Sequence, residues 1–449
     1  MLPPRLSNGL CSLNPGQDRL AMAVRLDFTK GGSLRRSALF PAVIASHARL
    51  TYSQVKRAVL ESDGKECRRI ERTAPGVLPM LLRAERLARE LARRRGARGS
   101  LDFDLPEAEI LFDEEGGAAD IRPKVRHFGH RIIEEFMIAA NEAVAAFLSG
   151  RGLPCLFRVH PPPDQDKLRA LFALLARTEP EGRRAFFAQK GFEPEPADLQ
   201  RLIAQVTGTD KEFLVNRLLL RSMMQARYAP QNEGHFGLAS QCYCHFTSPI
   251  RRYADLVVHR LVKAALAPGS LALPGGKRLA RAAEHLSRQE RIALEAEREI
   301  LKRVTCLFLR DQIGRTFRGV IASLADYGFW VELSEVVAEG MVRLSTLHDD
   351  YYAYLREREL ILGSRTGRTF RLGQAVSVRL ADVSLDRLEV TLTLVDAEAD
   401  ADAPKPRRPA RSGKARTGGP PKRARPDKAS KAGSGKRRRS PAKPARPGS

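Results

Sequence analysis

Apolar positions recur at three- and four-residue spacing through most of the first 310 residues, and after residue 312 they alternate instead. The clearest helical stretch is 125–148, where Phe128, Ile132, Phe136, Ala140, Ala143 and Phe147 form one stripe. Ile133, Met137 and Val144 make a flanking strip, which predicts a helix buried on much of its circumference. Glu134 and Asn141, seven apart, project side by side from what remains. They fit either a cleft lining or a satisfied structural pair. Further helices are predicted at 79–95, 210–227, 248–266 and 277–309, with some strand between them. The first of these ends in Arg93-Arg94-Arg95-Gly96, read as an ordinary cationic helix end.

The alternating region predicts five strands. They are the runs starting at Phe317, after the turn at Asp326-Tyr-Gly-Phe-Trp330, at Glu339, at Ala375 and at Leu388. Five short strands in about 80 residues suit a small closed barrel of the OB type, whose exposed face binds single strands through stacking aromatics. The texture changes again after Glu398. No aromatic follows, and residues 401–449 hold 9 of the 28 prolines. Such a segment buries too little apolar surface to offset its ordering entropy and is predicted to be disordered. The organisation expected is α+β: a catalytic-type domain over 1–310, an OB-fold barrel over 312–396 and a basic tail over 397–449.

Charge adds a partner to this picture. The formal net charge is +25; the last 49 residues carry 17 Lys and Arg against 2 Asp, and the first 400 carry 60 against 50 Asp and Glu. A polyanion is indicated, nucleic acid first, although a solvating tail and an Arg-rich composition also fit. No apolar run approaches the roughly 18 residues a spanning helix needs, and the opening Met1-Leu-Pro-Pro4 is no signal peptide. A soluble cytoplasmic protein is expected, with no membrane partner. Six scattered cysteines make no disulfide framework, and Cys242-x-Cys244 has no second pair to complete a zinc site.

The densest cluster of chemistry is His235-Phe-Gly-Leu238 followed by His245-Phe-Thr-Ser-Pro-Ile-Arg-Arg-Tyr253. Ser248-Pro249 reads as a helix start, with Ser as cap and Pro in the first helical position. Arg251 and Arg252 then fall in the first turn, where free N–H groups and the helix dipole already favour an anion. Two guanidiniums there either grip a phosphate or pair with carboxylates at a domain contact. His235, His245 and His259 lack metal-ligand spacing and read as structural.

These residues also carry a resemblance. The stretch from His245 to Leu256, the opening Leu6-Ser-Asn-Gly-Leu-Cys-Ser-Leu-Asn-Pro15, and Ser46-His-Ala-Arg-Leu-Thr-Tyr52 resemble the ribonuclease II / ribonuclease R (RNB) exoribonuclease family. The downstream barrel, with Asp349-Asp-Tyr-Tyr352, resembles its ribonuclease R branch, and the likeness extends over about residues 1–395. The resemblance implies an RNB-type catalytic domain followed by an S1 barrel, acting as a processive 3′→5′ exoribonuclease that releases nucleoside 5′-monophosphates. Arg251 matches the family's clamp on the scissile phosphate, with Arg252 beside it, and Glu297 matches an acidic position near the substrate's 3′ end. Glu134 and Glu135 fall where the family has an acidic pair lining the RNA channel, and Phe103 matches an aromatic closing a stack of bases. On the barrel, Tyr327 and Trp330 match stacking aromatics, Arg343 stands where His is usual, and Asp382 and Arg387 resemble a polar pair on the same face. For Tyr327 and Trp330, core packing is the competing reading.

The resemblance further implies Mg2+, held by an Asp-rich motif upstream of Leu-Ser-Asn-Gly. Here that segment begins at residue 6, so the metal ligands, the cold-shock barrels and the aromatic stacking on the last nucleotide are expected to lie outside this chain. Asp102-Phe-Asp104 and Asp113-Glu-Glu115 have neither the spacing nor the flanking residues to replace the motif. The chain is thus expected to bind RNA without hydrolysing it alone, either as part of an exoribonuclease or as a non-catalytic single-stranded RNA-binding module. A structural, ribosome-associated protein is the third reading. Single-stranded or structured RNA is the expected partner, the ribosome or the degradation machinery a further one, and a monomer the expected state.

Overall fold

The computed structural model describes residues 2–101, 108–124, 126–178, 194–209, 212–267, 269 and 274–395. A short helical turn, Arg5–Leu10, precedes a hairpin of two long antiparallel strands, β1 (Asp18–Phe28) and β2 (Leu34–Ala45). A short turn of helix, α1 (Tyr52–Val55), leads to α2 (Gly64–Thr73) and α3 (Val77–Ala97). A small hairpin, β3 (Ala108–Phe112) and β4 (Ala118–Pro123), precedes the central helix α4 (Phe128–Ser149). Then come β5 (Phe157–Val159), α5 (Gln165–Thr178), α6 (Pro196–Val206), α7 (Glu212–Ser222), β6 (Arg227–Ala229), α8 (Tyr253–Leu266) and the long α9 (Gly276–Arg310).

Three apolar cores hold these elements. One joins α4, the β5–β6 pair, α8 and the start of α9, with Val144, Leu148, Leu156, Val258 and Val262 inaccessible to solvent or nearly so. A second joins α5, α6 and α7 through Leu168, Leu199, Leu202 and Leu219. The third fills a closed barrel and takes in Cys306 and Leu309 from the end of α9.

The barrel is built from β7 (Thr316–Ala325), β8 (Gly328–Leu333), β9 (Glu339–Arg343), β13 (Ala375–Ser384) and β14 (Glu389–Val395), in the order β13-β14-β9-β8-β7. Closure comes from β13 pairing with β7. These are the five strands that the alternation predicts. A separate sheet of β10 (Tyr352–Leu355), β11 (Leu360–Gly363) and β12 (Thr369–Arg371) is inserted between β9 and β13, and the alternation did not single it out. Its segments are only three or four residues long, too short for a period-2 signal.

Three expectations are corrected. The helix predicted at 248–266 begins at Tyr253: Ser248 opens a turn, and Arg252, extended at φ −125° and ψ 119°, is the helix cap. The central helix buries a face that includes Glu135 and Asn141, while Ile133 is exposed. Arg95 is no solvated helix end but lies largely buried in an ion pair. Polar partners decide these outcomes, Asp255 close in sequence for Arg252 and Glu135 and Tyr243 distant for Arg95 and Asn141, and hydropathy periodicity does not see them.

Candidate nucleic-acid interface

The turn before α8 separates the two arginines. The N–H groups of Arg251 and Arg252 both reach the carbonyl of Ser248, at 3.3 and 3.1 Å. Arg252 then donates from Nε and Nη2 to the two carboxylate oxygens of Asp255, each at 2.8 Å. Asp255 is completely buried and also accepts the Ser248 N–H at 2.7 Å. This carboxylate, in the first turn of α8, therefore fixes both the turn and the guanidinium. Arg252 is thus occupied, as the carboxylate-pairing alternative foresaw. Arg251 is exposed, and its side chain has no hydrogen bond or ion pair among the described residues. Only Arg251 of the two offers a whole guanidinium to a phosphate.

Behind this turn lies a knot of aromatic and histidine rings. Tyr228 Oη sits 2.9 Å from His245 Nδ1, and Asn141 donates to Tyr243 Oη at 2.9 Å while accepting the Phe246 N–H at 3.0 Å. His160 stacks on His235 at 5.1 Å, and Tyr243 meets both His235 and His245 edge-on. Burial, then the charges of Arg252 and Arg158, pushes His245 down to about 2. Burial and His160 push His235 down to about 3. Both rings are neutral at physiological pH and so act as packing and hydrogen-bonding groups. Burial also pushes the Cys242 thiol up to about 11 and raises Cys244, which keeps both as protonated thiols at physiological pH.

The two glutamates of α4 part company in the same way. Glu135 is buried and pairs with Arg95, Nη2 to Oε1 at 2.6 Å; Arg95 Nη1 donates to Ser100 Oγ at 2.6 Å. Ser100 continues to the Gly237 carbonyl, so the network ties α3 and α4 to the His235 segment. Glu134 is half-buried and bonds Arg126 at the surface. Asn141 is the satisfied structural residue of the Glu134–Asn141 pair.

The barrel presents the other half of the interface. Ser323, Trp330, Met341, Thr391 and Asp382 are successive cross-strand partners, forming one row over β7, β8, β9, β14 and β13. All five are at least partly exposed, whereas their inward neighbours Phe329, Val331, Val342 and Leu392 are inaccessible. Trp330 therefore lies on the outer face, and core packing is ruled out for Tyr327 as well, which is 60 % exposed. Their rings meet edge to face at 5.7 Å. Gly328 makes the turn between them possible: a Cβ there would stand 2.5 Å from the Val342 carbonyl oxygen.

Tyr327, Trp330, Arg343 and Arg387 line one cleft of about 1160 Å³, and Glu297, Arg298 and Lys302 of α9 line its other wall. The fold thus brings Glu297 together with four of the five barrel residues picked from sequence. Asp382 lies at the end of the row, outside the lining. Glu339 and Glu389 join Glu297 in the lining, but with Lys124, Arg298, Lys302, Arg343 and Arg387 the cations outnumber the carboxylates, and cations beside aromatic rings suit a single-stranded polyanion with stackable rings. Sequence reasoning missed Lys302, Met341 and Thr391, all set by register and helix phase. It also missed Asp255, whose signal was its place three residues after Arg252.

Among the described residues no three His, Cys, Asp or Glu side chains are grouped to hold a metal ion. Asp113 is engaged in its own turn, accepting from Glu115 and Gly117 N–H. Phe103, with Asp102 and Asp104, lies outside the described residues, as does the tail.

Residues 1–268 match the RNB domain. The chain belongs to the RNB domain family. Residues 310–394 match the S1 RNA binding domain, which covers the barrel up to its last strand residue. Ribonuclease R of Aquifex aeolicus is 43% identical over 399 residues, 88% of this chain and 55% of that protein. Ribonuclease R of Escherichia coli is 37% identical over 407 residues, 88% of this chain and 49% of that protein. The chain spans about half the length of these curated relatives. A solved structure of Mycoplasma genitalium RNase R, in complex with ribose methylated single-stranded RNA, superposes with a TM-score of 0.77. It is 27% identical, and the match takes in 88% of this chain and 60% of that one. The α+β architecture read from the sequence, an RNB-type body followed by an S1 barrel, is that of this family. Among the described residues no helix is long and apolar enough to cross a membrane.

Proposed function

We propose that this chain is the RNA-handling part of a ribonuclease R-type processive 3′→5′ exoribonuclease that releases nucleoside 5′-monophosphates in the cytoplasm. The observation that carries the reading is the cleft in which Tyr327, Trp330, Arg343 and Arg387 face Glu297 across from the barrel. Tyr327 and Trp330 stack on bases, Arg343 and Arg387 follow the phosphates, and Asp382 borders the path. Glu297 stands toward the 3′ end. Arg251 grips the scissile phosphate, and Arg252, locked to Asp255, holds the turn that presents it. Glu134 lines the approach and Glu135 holds α4 in place. The units proposed are the RNB portion 1–310, the S1 domain 312–396 and the tail 397–449.

The family's hydrolysis is generally dependent on a divalent metal, Mg2+ here, and the described residues do not form a site that fits one. No step of the reaction is therefore derived through a metal. Residues 1–449 alone bind RNA and do not cleave it, and a complementary set of carboxylates is needed for turnover. The same observation favours a second reading, a non-catalytic single-stranded RNA-binding module. Incubating the purified chain with 3′-labelled RNA and magnesium tests the point: labelled RNA stays intact, whereas release of nucleoside monophosphates would overturn it. Trp330→Ala should weaken single-stranded RNA binding by about 1–3 kcal/mol, read by fluorescence anisotropy with labelled RNA. Unchanged affinity would remove the cleft from the account.

A further inference from the structure

The outer face of the barrel changes character along β8 and β9. Three cross-strand pairs follow one another on it: Gly328 opposite Arg343, Trp330 opposite Met341, and Glu332 opposite Glu339. The face thus runs from a cation through an aromatic ring to two carboxylates. The last pair is a misfit for the sheet. Residues directly opposite on antiparallel strands hold their Cβ atoms about 4.5–5.5 Å apart, and like charges so placed destabilise the pairing. It is a misfit for RNA as well. Two residues along a strand span about 7 Å, less than the screening length of about 8 Å at physiological ionic strength. A nucleotide stacked on Trp330 therefore lies in the field of both carboxylates.

The compensation comes from outside the barrel. Helix α7 buries Val215 and Leu219 in the core it shares with α5 and α6, and packs Leu214 and Leu218 against the barrel core. Arg217 shares the barrel-facing side of this helix, three residues after Leu214 and next to Leu218. Its Nη1 stands 3.8 Å from Glu332 Oε2 and its Nη2 3.9 Å from Glu339 Oε2. Among the described residues no other cation forms an ion pair with either glutamate. Both distances are too long for a hydrogen bond. The guanidinium therefore acts as a charge set against two charges, while Leu214 and Leu218 dock the helix on the barrel.

We propose that Arg217 is a positioning residue of the RNA cleft: it neutralises the Glu332–Glu339 pair and so lets a single strand cross Trp330 without being repelled from the acidic end of the face. The inference rests on the proposed function and deepens it. Arg217 acts through the two carboxylates and needs no contact with RNA. The barrel's affinity for RNA is thereby tied to the body, because the residue that offsets the acid pair comes from α7 and not from the barrel itself.

Fluorescence anisotropy of labelled single-stranded RNA with the full chain tests this. Arg217→Ala should weaken binding about two- to fivefold at low salt, the range of a half-exposed ion pair, and the loss should vanish at high salt, where screening removes the field. Arg217→Lys keeps the charge and should keep the affinity. Glu332→Gln with Glu339→Gln should restore binding in the Arg217→Ala chain. In the otherwise unaltered chain the same two glutamines should tighten binding, because Arg217 is then an uncompensated positive charge beside the path. A mere brace for the barrel gives the opposite pattern: the glutamine pair weakens binding as Arg217→Ala does, and the loss persists at high salt. Either of those results, or an Arg217→Ala chain that binds like the unaltered one, would overturn the inference. Trp330→Ala is measured alongside. If it weakens binding while Arg217→Ala does not, this inference alone fails; if neither does, the cleft reading fails with it.

Discussion

Arg251 and Arg252 are neighbours in sequence and opposites in environment. The first has no partner among the described residues, and the second is bound at two points to a carboxylate with no exposure to water. Removing one partner of a buried pair leaves an uncompensated charge and costs about 3–5 kcal/mol. Arg252→Ala should therefore lower the melting temperature sharply, and Arg251→Ala should leave it unchanged while weakening binding of 3′-end RNA. Equal effects on stability would contradict the assignment. Arg95→Ala should behave like Arg252→Ala, because Glu135 would be left buried alone, whereas Glu134→Gln should be nearly neutral to folding. The neutral histidines give a pH signature. His245 and His235 have depressed values in the folded protein, whereas in the unfolded chain a histidine protonates near 6.5. Their contribution is complete above about 6.5. Below that the unfolded state takes up protons first, and stability falls by up to about 1.4 kcal/mol per pH unit for each ring until the folded values are reached. Urea unfolding at pH 7 and pH 5 measures this loss. A His245→Phe variant that keeps the same slope would argue against it.

At the scale of elements, the barrel strands and the helices of the body were legible because hydropathy period is a local property. The run at 277–309 reappears as α9 from Gly276 to Arg310, and the alternating segments reappear as the barrel. The start of α8 was not legible, because Ser248-Pro249 carries every local mark of a helix start. Asp255 instead draws Arg252 into an extended conformation and delays the helix to Tyr253. The cleft was half legible: the aromatic turn was visible in sequence, but its distance from Glu297 is a property of packing. The turn itself depends on close backbone approach at Gly328. Gly328→Ala should place a methyl group against the Val342 carbonyl, destabilise the barrel by about 1–3 kcal/mol and shift the Tyr327–Trp330 pair. Thermal melting of residues 1–449 with and without the substitution checks this.

Across the whole molecule the charge is unevenly shared, and residues 401–449 carry 17 of the 77 basic side chains with only 2 acidic ones. The logarithm of an affinity carried by phosphate neutralisation falls linearly with the logarithm of salt concentration, while stacking adds no such slope. Deleting 401–449 should flatten that slope, and Trp330→Ala should lower affinity without changing it. An unchanged slope after the deletion would show that the tail does not meet the phosphates. The account as a whole turns on RNA lying in the cleft between α9 and the S1 barrel. The chain holds a single tryptophan, Trp330, on the wall of that cleft, so its intrinsic emission reports on this one place. Titrating single-stranded RNA into the unlabelled protein should quench Trp330 fluorescence with the same dissociation constant that anisotropy of labelled RNA gives. RNA that binds by anisotropy while the tryptophan emission stays constant would place the interface elsewhere and contradict the account.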